Sequence, residues 1–179
     1  WDGKNLKGQT IYVYTEQGLG DTIQFARYLP ILQRHGCRIV FESPKPLRRL
    51  FQHSKIADEL IVPGETPSLF NYHAALLDLP RLMNTTLESI PNFKSYLSIV
   101  PHLKKEWEDR LGPKKKLRIG IVWAGNPEQT NDRYRSVDAS LFLPITQIPS
   151  VSVYSLQIGR GEEASRTYGE SVIDLAPFL

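Results

Sequence analysis

Cysteine is nearly absent. The single residue, Cys37, excludes an internal disulfide. It opens the apolar run "CRIVFES" and reads as a small core residue rather than a nucleophile. No pair of His or Cys residues has metal-ligand spacing, so no structural zinc or other metal is expected. No segment approaches the roughly 20 apolar residues of a membrane span, and nothing resembles a secretion signal. A cytoplasmic setting is the expectation. An excess of one charge is also missing: 22 basic against 19 acidic residues leave a net +3, which does not call for nucleic acid. The one dense basic stretch, "PKKKLR" (Pro113–Arg118), reads as a solvated linker rather than a polyanion site. Only one Met, Met83, is present and the chain opens on Trp1, so the sequence reads as a piece of a longer protein.

What is there is a soluble globular balance, 41% apolar and 23% charged, over 179 residues. "TIYVYTE" (Thr10–Glu16) has the β-branched and aromatic make-up of a buried strand. "DTIQFARYLPILQRHG" follows with Ile23, Ala26, Leu29 and Ile31 or Leu32 near helical spacing. Asp21 or Thr22 is the expected N-cap, Gly36 the C-terminal stop, and Pro30 an end or kink. "CRIVFES" predicts a second strand, "PKPLRRLFQHS" a short helix, "ADELIVPGE" a short strand, and Tyr72–Leu79 a further strand. Alternation of this kind favours a parallel sheet covered on both faces. After a charged helix in "HLKKEWEDRLGPKKK" the order restarts. "LRIGIVW" is a strand ending in a second glycine turn, a helix lies in or near "DASLFLPITQIP", and "SVSVYSLQIG" is a strand. "SVIDLAPFL" approaches one more element. The expected division is residues 1–113, a linker 114–116, and a second, incomplete unit 117–179. The shortness of that second unit suggests that the natural protein continues past Leu179.

The turn "GLGDTI" is the most informative short stretch. It lacks the third glycine of a dinucleotide fingerprint, since Ile23 occupies that place, and no Gly-Lys-Ser/Thr follows as in a P-loop. Asp21 also argues against a phosphate held at this helix start. Two readings stay open for Asp21: a helix cap, or a carboxylate at the C-terminal sheet edge that accepts a proton from a substrate hydroxyl. Glu16 serves the same edge or is an exposed strand-end acid. Gln17 and Gln24 flank the turn, with sugar contacts or plain exposure as alternatives. His73 and Gln157 read as core or edge residues, and Trp107 and Trp123 as packing rather than sugar platforms.

"EQGLGDTIQFARYLPIL", with "LLDLPRLM", "SIPNFKSYL" and "LRIGIVWAGNP", resembles the glycosyltransferase-like region that follows tetratricopeptide repeats in bacterial proteins. That region is similar to the heptosyltransferase group of two-lobed (GT-B) sugar transferases. The resemblance covers nearly the whole chain. It implies an α/β fold: a Rossmann-like parallel-sheet lobe facing the acceptor, followed by the truncated start of a second Rossmann-like lobe for the nucleotide-sugar. It further implies Asp21 as general base, with Gly18, Gly20 and Gln17 beside it. In "WAGNPEQTNDRYRS", Gly125 and Asn126 would form the donor-side turn, and Arg133 and Arg135 would reach the diphosphate, guanidinium pairing bidentately with phosphate oxygens. The alternative for these arginines is a solvated polar loop. Such enzymes carry a lysine shortly after the matching region, where this chain has Arg135-Ser136, so the match is incomplete there.

Two functions follow as expectations. One is a glycosyltransferase that moves a sugar from a nucleotide-diphosphate donor to a glycan, lipid-linked or protein acceptor, without a metal or other cofactor, the isolated piece being inactive. The other is a non-catalytic GT-B-like scaffold or binding module attached to tetratricopeptide repeats. A nicotinamide-dependent enzyme is disfavoured by the missing glycine.

Overall fold

The computed structural model describes residues 1–114 and 116–179. The chain forms two compact units, Trp1–Glu106 and Trp107–Leu179. The first holds strands β1 (Thr10–Tyr14), β2 (Arg38–Glu42), β3 (Glu59–Ile61) and β4 (Tyr72–Ala75). All pair in parallel, in the order β3-β2-β1-β4. Helices α1 (Leu19–Phe25) and α2 (Leu29–Arg34) join β1 to β2, and α3 (Arg48–Ser54) joins β2 to β3. Short α4 (Leu79–Leu82) follows β4, and α5 (Pro101–Leu111) carries the point of division between the units. The second unit pairs β5 (Leu117–Ile121), β6 (Val151–Ser155) and β7 (Val172–Asp174) in parallel, in that order. Helices α6 (Leu143–Thr146) and α7 (Gly161–Tyr168) connect them. This is the α/β, parallel-sheet architecture that the strand–helix alternation implies. Helix α7 is one element beyond that reading.

Leucine-proline pairs punctuate the helices. A proline at position i cannot donate to the carbonyl of i−4. At Pro30 the orphaned Ala26 carbonyl accepts from Leu29 N–H instead. Leu79 N–H does the same for Leu76 O before Pro80, and Leu143 N–H for Ser140 O before Pro144. Each time a 3-10 turn hands over to a new α-helix that starts at the Leu-Pro pair. Pro30 therefore divides the expected single helix into α1 and α2. Its C-terminal end falls where glycine allows it, with Gly36 at φ 78°.

The first core lies on one face of the sheet. Ile11 and Val13 of β1, Ile39 and Phe41 of β2, and Ala74 of β4 pack against Ala26, Leu29, Leu32, Leu47 and Phe51. The steps from β1 to β2 to β3 run in one direction, so right-handed connections place their helices on this one face. The return from β3 to β4 crosses the opposite face, and it is a loop without a helix, with Pro63, Gly64 and Pro67 as breakers. The sheet expected to be covered on both faces carries helices on one face only: on the other, Val40 and Ala75 are buried, and Tyr12, Tyr14, Phe70 and His73 belong to neither core. The second core gathers Ile121, Trp123, Ala139, Val153, Ala164, Tyr168 and Val172. Among the described residues, no helix is long and apolar enough to cross a membrane.

Candidate functional site

The turn after β1 differs in detail from its sequence reading. Helix α1 starts at Leu19, its N-cap is Gly18, and no side chain caps it. Asp21 is thus in the first turn rather than at the cap, and Thr22 is no cap either. The Thr22 hydroxyl donates back to Gly18 O at 3.0 Å, and its residue is 1% exposed. An acid in the first turn still complements the partial positive charge of the helix start. Gly18 sits at φ −66°. A Cβ there would meet only Asp21 Oδ2 at 3.6 Å, and one on Gly20 would meet nothing. Neither glycine is needed for a left-handed turn. Their effect is to leave the backbone at the C-terminal end of β1 uncovered.

Around it stand exposed Glu16, Gln17, Asp21 and Gln24. Among the described residues no hydrogen bond or ion pair holds the Asp21 carboxylate. Its neighbourhood is therefore an open sheet edge with two carboxylates, Asp21 and Glu16, that are unpaired among the described residues, and flanking amides. A cavity of about 560 Å³ opens elsewhere in the same unit, among Trp1, Tyr28, His35, Met83, Asn84 and Ser89, beside the segments that precede β1 and β2. None of the expected site residues lines it.

After β5 the chain makes a different kind of turn. The Gln157 side-chain oxygen accepts from Trp123 N–H at 3.0 Å and Ala124 N–H at 2.9 Å. Gln157 is 5% exposed, so it is a buried clamp rather than an edge residue. Gly125 N–H donates to Ser136 Oγ at 2.9 Å, and that hydroxyl donates to Asp132 Oδ2 at 2.8 Å. Asp132 Oδ1 has no partner, and a Cβ on Gly125 would lie 2.6 Å from it. Glycine is compelled here by close approach. The Asn126 side-chain oxygen is occupied by Glu128 N–H at 3.1 Å.

Arg133 and Arg135 are exposed. The Arg133 guanidinium donates to Tyr134 Oη at 2.7 Å and lies 4.6 Å from that ring's centre. Among the described residues the Arg135 side chain makes no hydrogen bond or ion pair. The structure thus gathers Gly125 and Asn126 into one turn and puts both arginines on the loop that closes it. It gathers Gln17, Gly18, Gly20 and Asp21 into the other.

The residues that sequence reasoning passed over are Asp132 and Ser136, four apart on the loop, and the clamp role of Gln157. The one available signal was a glutamine directly following the apolar strand "SVYSL". Trp123 is 2% exposed, with its ring edge-on to Tyr168 at 5.7 Å, and serves the core. Trp107 carries the Arg110 guanidinium at 5.4 Å. Cys37 is buried, its thiol donates to Leu32 O at 3.1 Å, and burial raises its pKa, which suits packing rather than attack. In the basic stretch, Arg118 donates to the carbonyls of Leu111 and Gly112 and so closes the end of α5, while Lys115 lies outside the described residues. Among the described residues no group of three or more His, Cys, Asp or Glu side chains is arranged to hold a metal.

The fold defines a class: α/β units built on parallel, Rossmann-like sheets. The crystal structure of a glycosyl transferase family 9 protein from Veillonella parvula superposes over 96% of this chain and 71% of its own, with TM-score 0.65 and 13% identity. In sequence, the chain is 28% identical over 184 residues to Protein FlbA of Caulobacter vibrioides, matching across 91% of its own length. It spans 30% of the length of that protein. No protein-family model matches the chain.

Proposed function

We propose that the chain belongs to a sugar transferase related to the heptosyltransferases, in which residues 1–113 face the acceptor and residues 117–179 begin the donor side, with 114–116 as linker. Asp21 takes the proton of the acceptor hydroxyl. That oxygen bonds to the anomeric carbon as the bond to the nucleoside diphosphate breaks, the diphosphate leaves, and the sugar carbon is inverted. Arg133 and Arg135, with the turn at Gly125 and Asn126, offset the diphosphate charge, so the reaction needs neither metal nor cofactor. Tetratricopeptide repeats precede this region in the parent protein, which works in the cytoplasm. The donor is a nucleotide-sugar, and the acceptor is a glycan, a lipid-linked glycan or a protein.

One observation carries the reading: the unpaired Asp21 carboxylate in the first turn of α1, at the C-terminal end of β1. Ligands of open α/β sheets bind at that edge. The likeness to a glycosyl transferase fold supports it. A scaffold without catalysis is favoured by one feature of the same residue, since no neighbour orients the carboxylate as a general base requires. The full-length protein decides between them. Asp21→Asn is expected to lower turnover by roughly 10²–10⁴-fold and to leave stability within about 0.5 kcal/mol. Calorimetry with UDP-, GDP- and ADP-sugars that shows no binding by the unaltered protein defeats the enzyme reading.

A further inference from the structure

The face of the first sheet that lacks helices carries four rings in a closed group. Tyr12 lies 5.9 Å from Tyr14 and 5.2 Å from Phe70, between ring centres. His73 lies 6.2 Å from Tyr14 and 6.5 Å from Phe70. His73 is exposed and Phe70 is 42% exposed, while the two tyrosines are half-buried. The floor is firm: Val40, beside Tyr12 in the sheet, is fully buried. The polar groups on this face are hydroxyls, an imidazole and two carboxylates, Glu42 and, beside Val40, Glu59, and Tyr12 Oη donates to Glu42 Oε2 at 2.8 Å. The nearby cation is already engaged, as Arg38 pairs with Glu59 and donates to Ser68. Tyr14 is the last residue of β1, so the group runs directly into the turn that bears Asp21.

We propose that this face is the landing strip for a neutral oligosaccharide acceptor, which lies along β1 with its terminal hydroxyl toward Asp21. Aromatic rings offer large apolar area with polar tips, which fits the apolar faces and hydroxyl rims of sugars. Glu42 accepts from hydroxyls and repels anions, and the guanidinium of Arg38 beside it is engaged by Glu59 and Ser68, so an acidic glycan is disfavoured. The strip leads along β1 to the sheet edge whose turn carries the candidate base, and that continuity along the chain selects the acceptor over an unrelated ligand. The inference rests on the transferase reading, and its test separates the two.

Aromatic-ring NMR of the full-length protein is titrated with chitohexaose, cellohexaose and maltohexaose, with nucleotide-sugar binding followed in the same samples. At least one hexasaccharide is expected to shift the rings of Tyr12, Tyr14, Phe70 and His73. A Tyr14→Ala/His73→Ala double variant is expected to bind it roughly tenfold more weakly, and Tyr12→Phe, which keeps the ring, to retain most of the binding. Circular dichroism confirms that the variants fold. Absence of ring shifts with all three sugars, or shifts equally strong in the double variant, overturns the proposal even where donor binding is intact. Concentration-dependent broadening of these rings without sugar marks the face as a contact between copies of the chain and also overturns it. Ring shifts without any donor binding uphold the strip and sink the transferase reading instead.

Discussion

Two turns follow the leading strands of the two units, and they look alike in sequence: an apolar strand, then glycine beside a polar residue. Physically they are opposites. The turn after β1 is open, with glycines that no contact requires and a carboxylate without a hydrogen bond or ion pair among the described residues. The turn after β5 is locked by one buried amide oxygen, one hydroxyl and a glycine pressed against a carboxylate. The lesson is that glycine beside a strand end has two uses. It can leave backbone bare for a ligand, or it can let buried polar groups close on one another. Only the packing around it tells which.

The contrast can be broken most sharply at Gln157. Gln157→Ala leaves the N–H groups of Trp123 and Ala124 buried without partners and is expected to cost the second unit about 2–5 kcal/mol. Native-state hydrogen exchange of the β5 and β6 amides reads this directly, which matters because two units rule out a single unfolding free energy. Next is Gly125→Ala, whose methyl must displace Asp132, at about 1–3 kcal/mol by the same measurement. If that variant exchanges like the parent protein, the second turn is not locked as described. By contrast Gly20→Ala, in the open turn, is expected to stabilise α1 by up to about 1 kcal/mol, measured by urea unfolding of the first unit.

The smallest effect concerns the sheet face beside the open turn. Burial first, and the hydrogen bond to Glu42 second, push the Tyr12 phenol from 10.0 up to about 12. A folded-state value above the unfolded one contributes stability that is whole below pH 10 and is lost as pH rises toward about 12. Thermal melts across that window are expected to fall less steeply in Tyr12→Phe, and absorbance titration to show a late-ionising phenol that this variant lacks.

The strands were legible because β-branched and aromatic runs bounded by glycine leave little choice, and Gly36 marked its helix end for the same steric reason. Other features were not. Asp21 has cap chemistry, but Gly18 holds the cap position because the helix begins three or four residues earlier than a cap at Asp21 or Thr22 would have it. Helix α7 carried its signals openly, with Glu162 and Glu163 in the first turn and Gly169 after the last. Its small apolar content hid them. The helix-free sheet face was foreshadowed by Pro63, Gly64 and Pro67, which break any helix between β3 and β4. A glutamine straight after an apolar strand marked the position of the clamp at Gln157, but its partners were illegible, because they lie more than thirty residues away and only folding brings them within reach.

The Leu-Pro hand-overs reach into how the molecule assembles. They help keep the helices of the first sheet to 7, 6, 7 and 4 residues, below the ~12–15 at which a helix persists alone in water. Helical dichroism during refolding should then rise together with strand pairing and not ahead of it. The sheet is the mould, and the helices set only against it.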